Sequence, residues 1–224
     1  MIPRVRSPVL EGTRQRVRAW LLPGLTWAAA LSTAAAADTT PKLLVFGDSL
    51  SAHYAMAPEQ GWVGLLQKKL RARGLHYEVA NASVSGENTA GGLARVEKAL
   101  AAHLPAVFVL TLGINDGFRQ SPVSEMKRNL AAMVRAAQSR GATPLIAGLR
   151  LPAAMQWTAE YRRDFDQAFA EVAAESRVAI VPFLLEGIAD RREYYQSDGV
   201  HPNVQAQPVI LENVWRHLEP LLRP

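Results

Sequence analysis

From residue 42 onward the chain alternates short, continuous apolar runs with longer segments in which apolar residues recur every three or four positions. The first kind of pattern predicts buried strands and the second predicts amphipathic helices with one face on a core. Strands are expected at Lys42–Phe46, Tyr77–Asn81, Ala106–Leu112, Thr143–Gly148 and Val178–Val181. Between them, Trp62–Arg73 carries Val63, Leu66 and Leu70 on one face and meets a stop at Gly74. Thr89 is expected to cap a second helix with Leu93, Val96, Leu100 and Leu104 on its inner face, ended by Pro105. Ser121-Pro122 supplies a cap and a first-turn proline for a third, striped by Val123, Met126, Leu130, Met133, Val134 and Ala137 and closed by Gly141. Thr158–Ser176 and Gln205–Leu222 complete the set.

Strands that alternate with helices imply a parallel sheet, because parallel neighbours need long crossovers and helices supply them. The expected fold class is therefore α/β, a three-layer α/β/α sandwich around a five-stranded parallel sheet. Ligands of such sheets bind beyond the carboxyl ends of the strands. Four polar clusters fall there. Gly47-Asp48-Ser49-Leu50 follows the first strand, Ser83-Val84-Ser85-Gly86 the second, and Gly113-Ile114-Asn115-Asp116 the third; Asp198-Gly199-Val200-His201 lies in the long loop before the last helix.

These residue types suit acyl transfer. A serine hydroxyl needs an adjacent base, and a histidine base needs an acceptor that fixes its tautomer. Ser49 is the candidate nucleophile, His201 the base and Asp198 its partner, provided that the loop folds the carboxylate onto Nδ1. Donors for an oxyanion are expected from the backbone N–H groups of Ser49 and Gly86 and from the side-chain amide of Asn115. Asp48 and Asp116 read as hydrogen-bonders to turn backbone. His53, His76, His103 and His217 have no comparable setting. Singly, each cluster is also ordinary turn or capping chemistry; their order along the chain and their common position at strand ends point to catalysis.

The chain's net charge of +5 changes little once the charges are located. Five of its 25 Lys and Arg residues and one of its 20 Asp and Glu residues lie in the first 37 positions, which leaves the remainder at +1. No nucleic-acid partner is inferred. Those 37 residues read as a signal peptide: arginines up to Arg18, an apolar stretch from Trp20 to Leu31, and small residues at Ala35-Ala36-Ala37 before Asp38. The apolar stretch is short for a membrane span, which needs about 20 residues. A single domain over 38–224, periplasmic or secreted and without stable membrane insertion, is the expected mature form, with a monomer as the default. The chain has no cysteine, which rules out disulfides and thiolate metal sites.

The set Ser49, Gly86, Asn115 and His201 resembles the four blocks that name the SGNH (GDSL) hydrolases, most closely the bacterial thioesterase I/lysophospholipase L1/arylesterase group. The likeness runs through Val45–Ser51, Asn81–Gly86, Leu112–Gly117 and Asp198–Asn203, and covers nearly all of residues 41–222. It implies a flavodoxin-like arrangement, a Ser-His-Asp triad, no metal or cofactor, and hydrolysis of small-molecule or lipidic esters and thioesters. Two departures stand out: Ile114 replaces a frequent second glycine, and His53 replaces a smaller residue. After the fourth strand, Leu149–Trp157 is unusually apolar for an exposed connection; Leu151, Met155 and Trp157 are candidates for an acyl-chain groove, or simply pack the loop down. A glycan O-deacetylase on the same triad and a non-catalytic flavodoxin-like binding module remain competing readings.

Overall fold

The computed structural model describes residues 40–152 and 156–222. The leader and Met155 thus lie outside the described residues. Five strands form one sheet: β1 (Lys42–Gly47), β2 (Glu78–Asn81), β3 (Val107–Thr111), β4 (Thr143–Ala147) and β5 (Ala179–Val181). Every pairing is parallel and the order is β2-β1-β3-β4-β5. Six helices accompany them: α1 (Trp62–Ala72), α2 (Thr89–His103), α3 (Ile114–Phe118), α4 (Val123–Ser139), α5 (Ala159–Ser176) and α6 (Gln207–Leu218). α1 and α6 pack together on one face of the sheet, while α2, α4 and α5 pack side by side on the other. The expected three layers and five strands are thus present.

The central strands are apolar except at their ends because helices cover both of their faces. Leu43 to Phe46 and Val107 to Leu110 are fully or almost fully buried, with Leu145 and Ile146 beside them. On the helices, the stripes Val63-Leu66-Leu70 and Met126-Leu130-Met133-Val134-Ala137 are the buried faces, as the spacing requires. β1 and β3 are neighbours although β2 lies between them in sequence, so the chain reverses its direction of travel across the sheet at this pair. A crevice forms outside the carboxyl ends where the order reverses.

Local differences from the sequence reading have physical reasons. The α2 cap is Asn88, whose Oδ1 accepts the Gly91 N–H at 3.0 Å, not Thr89. Thr89 is freed for another task, described below. Leu104 does not join the inner face of α2: it is the C-cap, with φ 45°, and is 74% exposed. A left-handed residue at that point swings its side chain off the stripe. Pro122, not Ser121, is the cap of α4, without a side-chain cap bond. The short α3, directly after β3, had no signature in the hydrophobic pattern.

Candidate active site

β1 ends at Gly47, and the chain turns immediately. The N–H groups of Ser51 and Ala52 donate to the Asp48 carbonyl, and the Leu50 N–H donates to Asp48 Oδ1 at 3.0 Å. Gly47 is needed there because a Cβ would stand 1.8 Å from Thr111 Oγ1, itself paired with Ser51 Oγ at 2.7 Å. This tight turn presents Ser49 at the sheet edge. Asp48 points inward and is fully buried; its Oδ2 has no partner among the described residues. Burial raises the Asp48 carboxyl to about 7, against the opposing bond from Leu50 and with help from the nearby charges of Asp116 and Glu87.

The loop after β2 is tied to the nucleophile turn. Asn81 Nδ2 donates to the Ser51 carbonyl at 2.8 Å, and the Val84 N–H donates to the Gly47 carbonyl at 2.9 Å. Gly86 has φ +78°, a conformation that glycine adopts freely. Glu87 beyond it is gripped by Arg95, which also donates to the Ala82 carbonyl and lies over the Phe46 ring at 3.9 Å. After β3, Gly113 at φ +134° lets α3 begin at once, bringing Asn115 alongside. Asn115 Nδ2 donates one hydrogen to the Glu87 carbonyl at 3.0 Å and carries a second. Asp116 accepts both the N–H and the hydroxyl of Thr89, so that α2 and α3 are locked by one buried carboxylate. Asp48 and Asp116 both bond backbone N–H groups, the use read for them from the sequence. Among the described residues, the N–H groups of Ser49 and Gly86 donate to no protein acceptor.

The fourth cluster arrives from across the chain. Asp198 Oδ1 accepts the N–H groups of Val200 and His201 at 2.9 and 3.0 Å, and Oδ2 lies 2.7 Å from His201 Nδ1. These bonds, led by the one from the His201 backbone, hold the Asp198 carboxyl down at about 2. With Nδ1–H donating to this carboxylate, Nε2 is left to accept, and it lies 3.1 Å from Ser49 Oγ. The structure therefore brings Ser49, His201 and Asp198 into one hydrogen-bonded line, and sets Gly86 on the loop after β2 and Asn115 in the first turn of α3.

Several supports were invisible in the sequence. Tyr54 stacks on the His201 ring, with centroids 3.9 Å apart. Gln196 donates from Nε2 to the Tyr54 carbonyl, and Arg192 donates to the Gln196 and Ser197 carbonyls at 2.6 and 3.0 Å. Arg119 donates to the Gly86 carbonyl at 2.9 Å. Each joins residues far apart in sequence or uses a surface side chain with no motif. His53 packs against Gly61 at the start of α1. Leu151 is buried, beneath Gly117 and near Phe165; a Cβ on Gly117 would lie 2.4 Å from its Cδ2. Trp157 is partly buried and donates from Nε1 to the Gly117 carbonyl at 3.3 Å. No helix among the described residues is long and apolar enough to cross a membrane.

Comparison with known proteins bears on the family and the fold. Residues 45–207 match the GDSL-like lipase/acylhydrolase family. The chain is 45% identical to the esterase TesA of Pseudomonas aeruginosa over 92% of its own length and all of TesA's. It is 36% identical to thioesterase 1/protease 1/lysophospholipase L1 of Escherichia coli, across 91% of this chain and 94% of that protein. The crystal structure of TesA superposes with a TM-score of 0.78, covering 81% of this chain and 99% of the other.

Proposed function

Because this chain belongs to the GDSL-like lipase/acylhydrolase family, we propose that it is a serine esterase with Ser49 as nucleophile, His201 as general base and acid, and Asp198 as the group that orients His201. The observation that carries the reading is the Asp198–His201–Ser49 line, with contacts of 2.7 and 3.1 Å. Ser49 Oγ attacks the ester carbonyl as its proton passes to His201 Nε2. The imidazolium is stabilised by Asp198, which remains ionised because its carboxyl is held so low. The oxyanion is met by the backbone N–H groups of Ser49 and Gly86 and by the second N–H of Asn115. Collapse breaks the bond to the leaving oxygen or sulfur, which takes the proton from His201. Water, deprotonated by the same imidazole, then attacks the acyl-enzyme and restores Ser49.

The substrate class is acyl esters, with thioesters and lysophospholipids as further candidates; the names of the relatives support this breadth. For the acyl chain, the proposed groove residues are Leu151, as a buried floor, and Trp157, with Met155 named from the sequence alone. Support comes from Leu151 beneath Gly117 and from the Trp157 bond to the Gly117 carbonyl, which set both side chains against α3, the helix that carries Asn115. The first 37 residues act as a signal peptide on this reading, and the remaining single domain works as a monomer in the periplasm or outside the cell.

The test is turnover of a nitrophenyl ester panel, with acyl-CoA and lysophospholipid, by the chain and by Ser49→Ala. Removal of the hydroxyl should abolish nearly all activity and all labelling by a fluorophosphonate, with the fold intact by circular dichroism. Full esterase activity in Ser49→Ala would falsify the assignment.

A further inference from the structure

In acyl transfer the protonated imidazole hands its proton to the departing atom, so the leaving group exits beside His201 Nε2. The oxyanion donors fix the opposite side of the carbonyl. Given the serine-esterase reading above, on which this inference rests, the surroundings divide into a leaving-group side next to His201 and an acyl side next to Asn115. Tyr54 stands on the first. Its ring is stacked on the imidazole at 3.9 Å with the planes 22° apart. Its backbone is fixed as well: Gln196 Nε2 donates to the Tyr54 carbonyl at 3.0 Å, and the Gln196 N–H donates to the His201 carbonyl at 2.8 Å. The residues on either side, His53 and Ala55, hold positive φ values of 48° and 52°. Two left-handed non-glycine residues around one tyrosine are uncommon and carry a conformational cost.

Despite these constraints Tyr54 is 41% exposed. The imidazole covers one ring face, so the open surface lies on the other face and the edges of a ring that itself touches the imidazole that protonates the leaving group. A burial-driven role would not keep a large aromatic side chain so open; a rigid, half-covered ring offers another ring a stacking surface. The Tyr54 hydroxyl makes no hydrogen bond among the described residues, which leaves the ring as its functional part.

We propose that Tyr54 is a specificity-determining residue for the leaving group, its open ring surface receiving aromatic alcohols and thereby favouring aryl over alkyl esters of the same acid.

The experiment compares kcat/KM for phenyl butyrate and 2,2,2-trifluoroethyl butyrate in the unaltered chain, Tyr54→Phe and Tyr54→Leu, followed by acid release. Both esters give the same acyl-enzyme, so their ratio reports binding and acylation alone, and intrinsic leaving-group reactivity cancels between variants. In Tyr54→Leu the phenyl-to-trifluoroethyl ratio should fall about three- to tenfold, the range expected from losing one aromatic pair. Tyr54→Phe should keep the ratio of the unaltered chain. Equal losses on both esters in Tyr54→Leu, or an equal fall of the ratio in Tyr54→Phe, would overturn the role of the ring. An unaltered chain that hydrolyses neither ester, or a Ser49→Ala variant that hydrolyses both, would strike at the serine-esterase reading instead.

Discussion

Asp198 engages both oxygens within its own loop, and this explains how a partly exposed carboxylate can be so strongly acidic. A residue three positions before a histidine can accept two backbone N–H groups and still meet Nδ1, which is why this pair was legible from spacing alone. In Asp198→Asn, an amide nitrogen placed toward Nδ1 would favour the tautomer with its proton on Nε2, where it cannot accept from Ser49. We expect kcat to fall by roughly 10²–10⁴ with KM little changed, measured by steady-state hydrolysis of a short nitrophenyl ester. Loss in KM alone would argue against the orienting role. Trp157 gives a second expectation at this scale. Trp157→Ala should reduce kcat/KM for long-chain esters several-fold more than for acetate, by the area of one aromatic wall; parallel losses across the length series would leave Trp157 as loop packing. Tyr54, by contrast, was not legible: nothing local marks a tyrosine that will meet a histidine from the far end of the chain.

At the scale of elements, strands and helices were readable because burial on both faces and burial on one face leave different apolar periods. The ends were less so. Leu104 satisfies the α2 period but sits one step past the last turn, where a left-handed residue breaks the register. α3 escaped notice because a helix this short has no periodicity; its start depends on the backbone freedom of Gly113. The β1–nucleophile junction shows how closely an element end can constrain a site. A methyl group on Gly47 would collide with Thr111 Oγ1 and crowd the Thr111 carbonyl at 2.9 Å. Gly47→Ala should therefore destabilise the fold by about 1–3 kcal/mol, the usual cost of overpacking, and reduce turnover through displacement of Ser49. Removing the obstructing hydroxyl should help: in a Thr111→Ala background the same substitution should cost less, as read by a double-mutant cycle of urea midpoints. Additive losses would mean that strand geometry, not the hydroxyl, sets the limit.

For the whole molecule, alternation of strands and helices dictated a parallel sheet but left the order of its strands open, since helical crossovers permit several; the flavodoxin-like arrangement that the family resemblance implied is the order present. The order found places β1 beside β3 and so sets the Ser49 turn next to Asn115, with the loop after β2 lashed across by Asn81 and Val84. That construction leaves Asp48 inside, beneath the site, and its titration should be felt in global stability. The folded carboxyl titrates near 7, against an ordinary value of 3.8. Between those values the folded state holds a proton that the unfolded state has lost, so stability declines as pH rises through the window and levels off above it. Three units correspond to a few kcal/mol at most, at about 1.4 kcal/mol per unit. Asp48→Asn keeps an acceptor for the Leu50 N–H and cannot ionise. Relative to the unaltered chain it should therefore gain stability between pH 4 and pH 8 by a sizeable part of that amount, measured from urea unfolding at the two pH values. Every other titrating group, Asp116 included, is common to both proteins and cancels to first order. If the two proteins keep a constant stability difference from pH 4 to pH 8, Asp48 is ionised in the folded state throughout, and its buried oxygen must then find a donor that the static structure does not show.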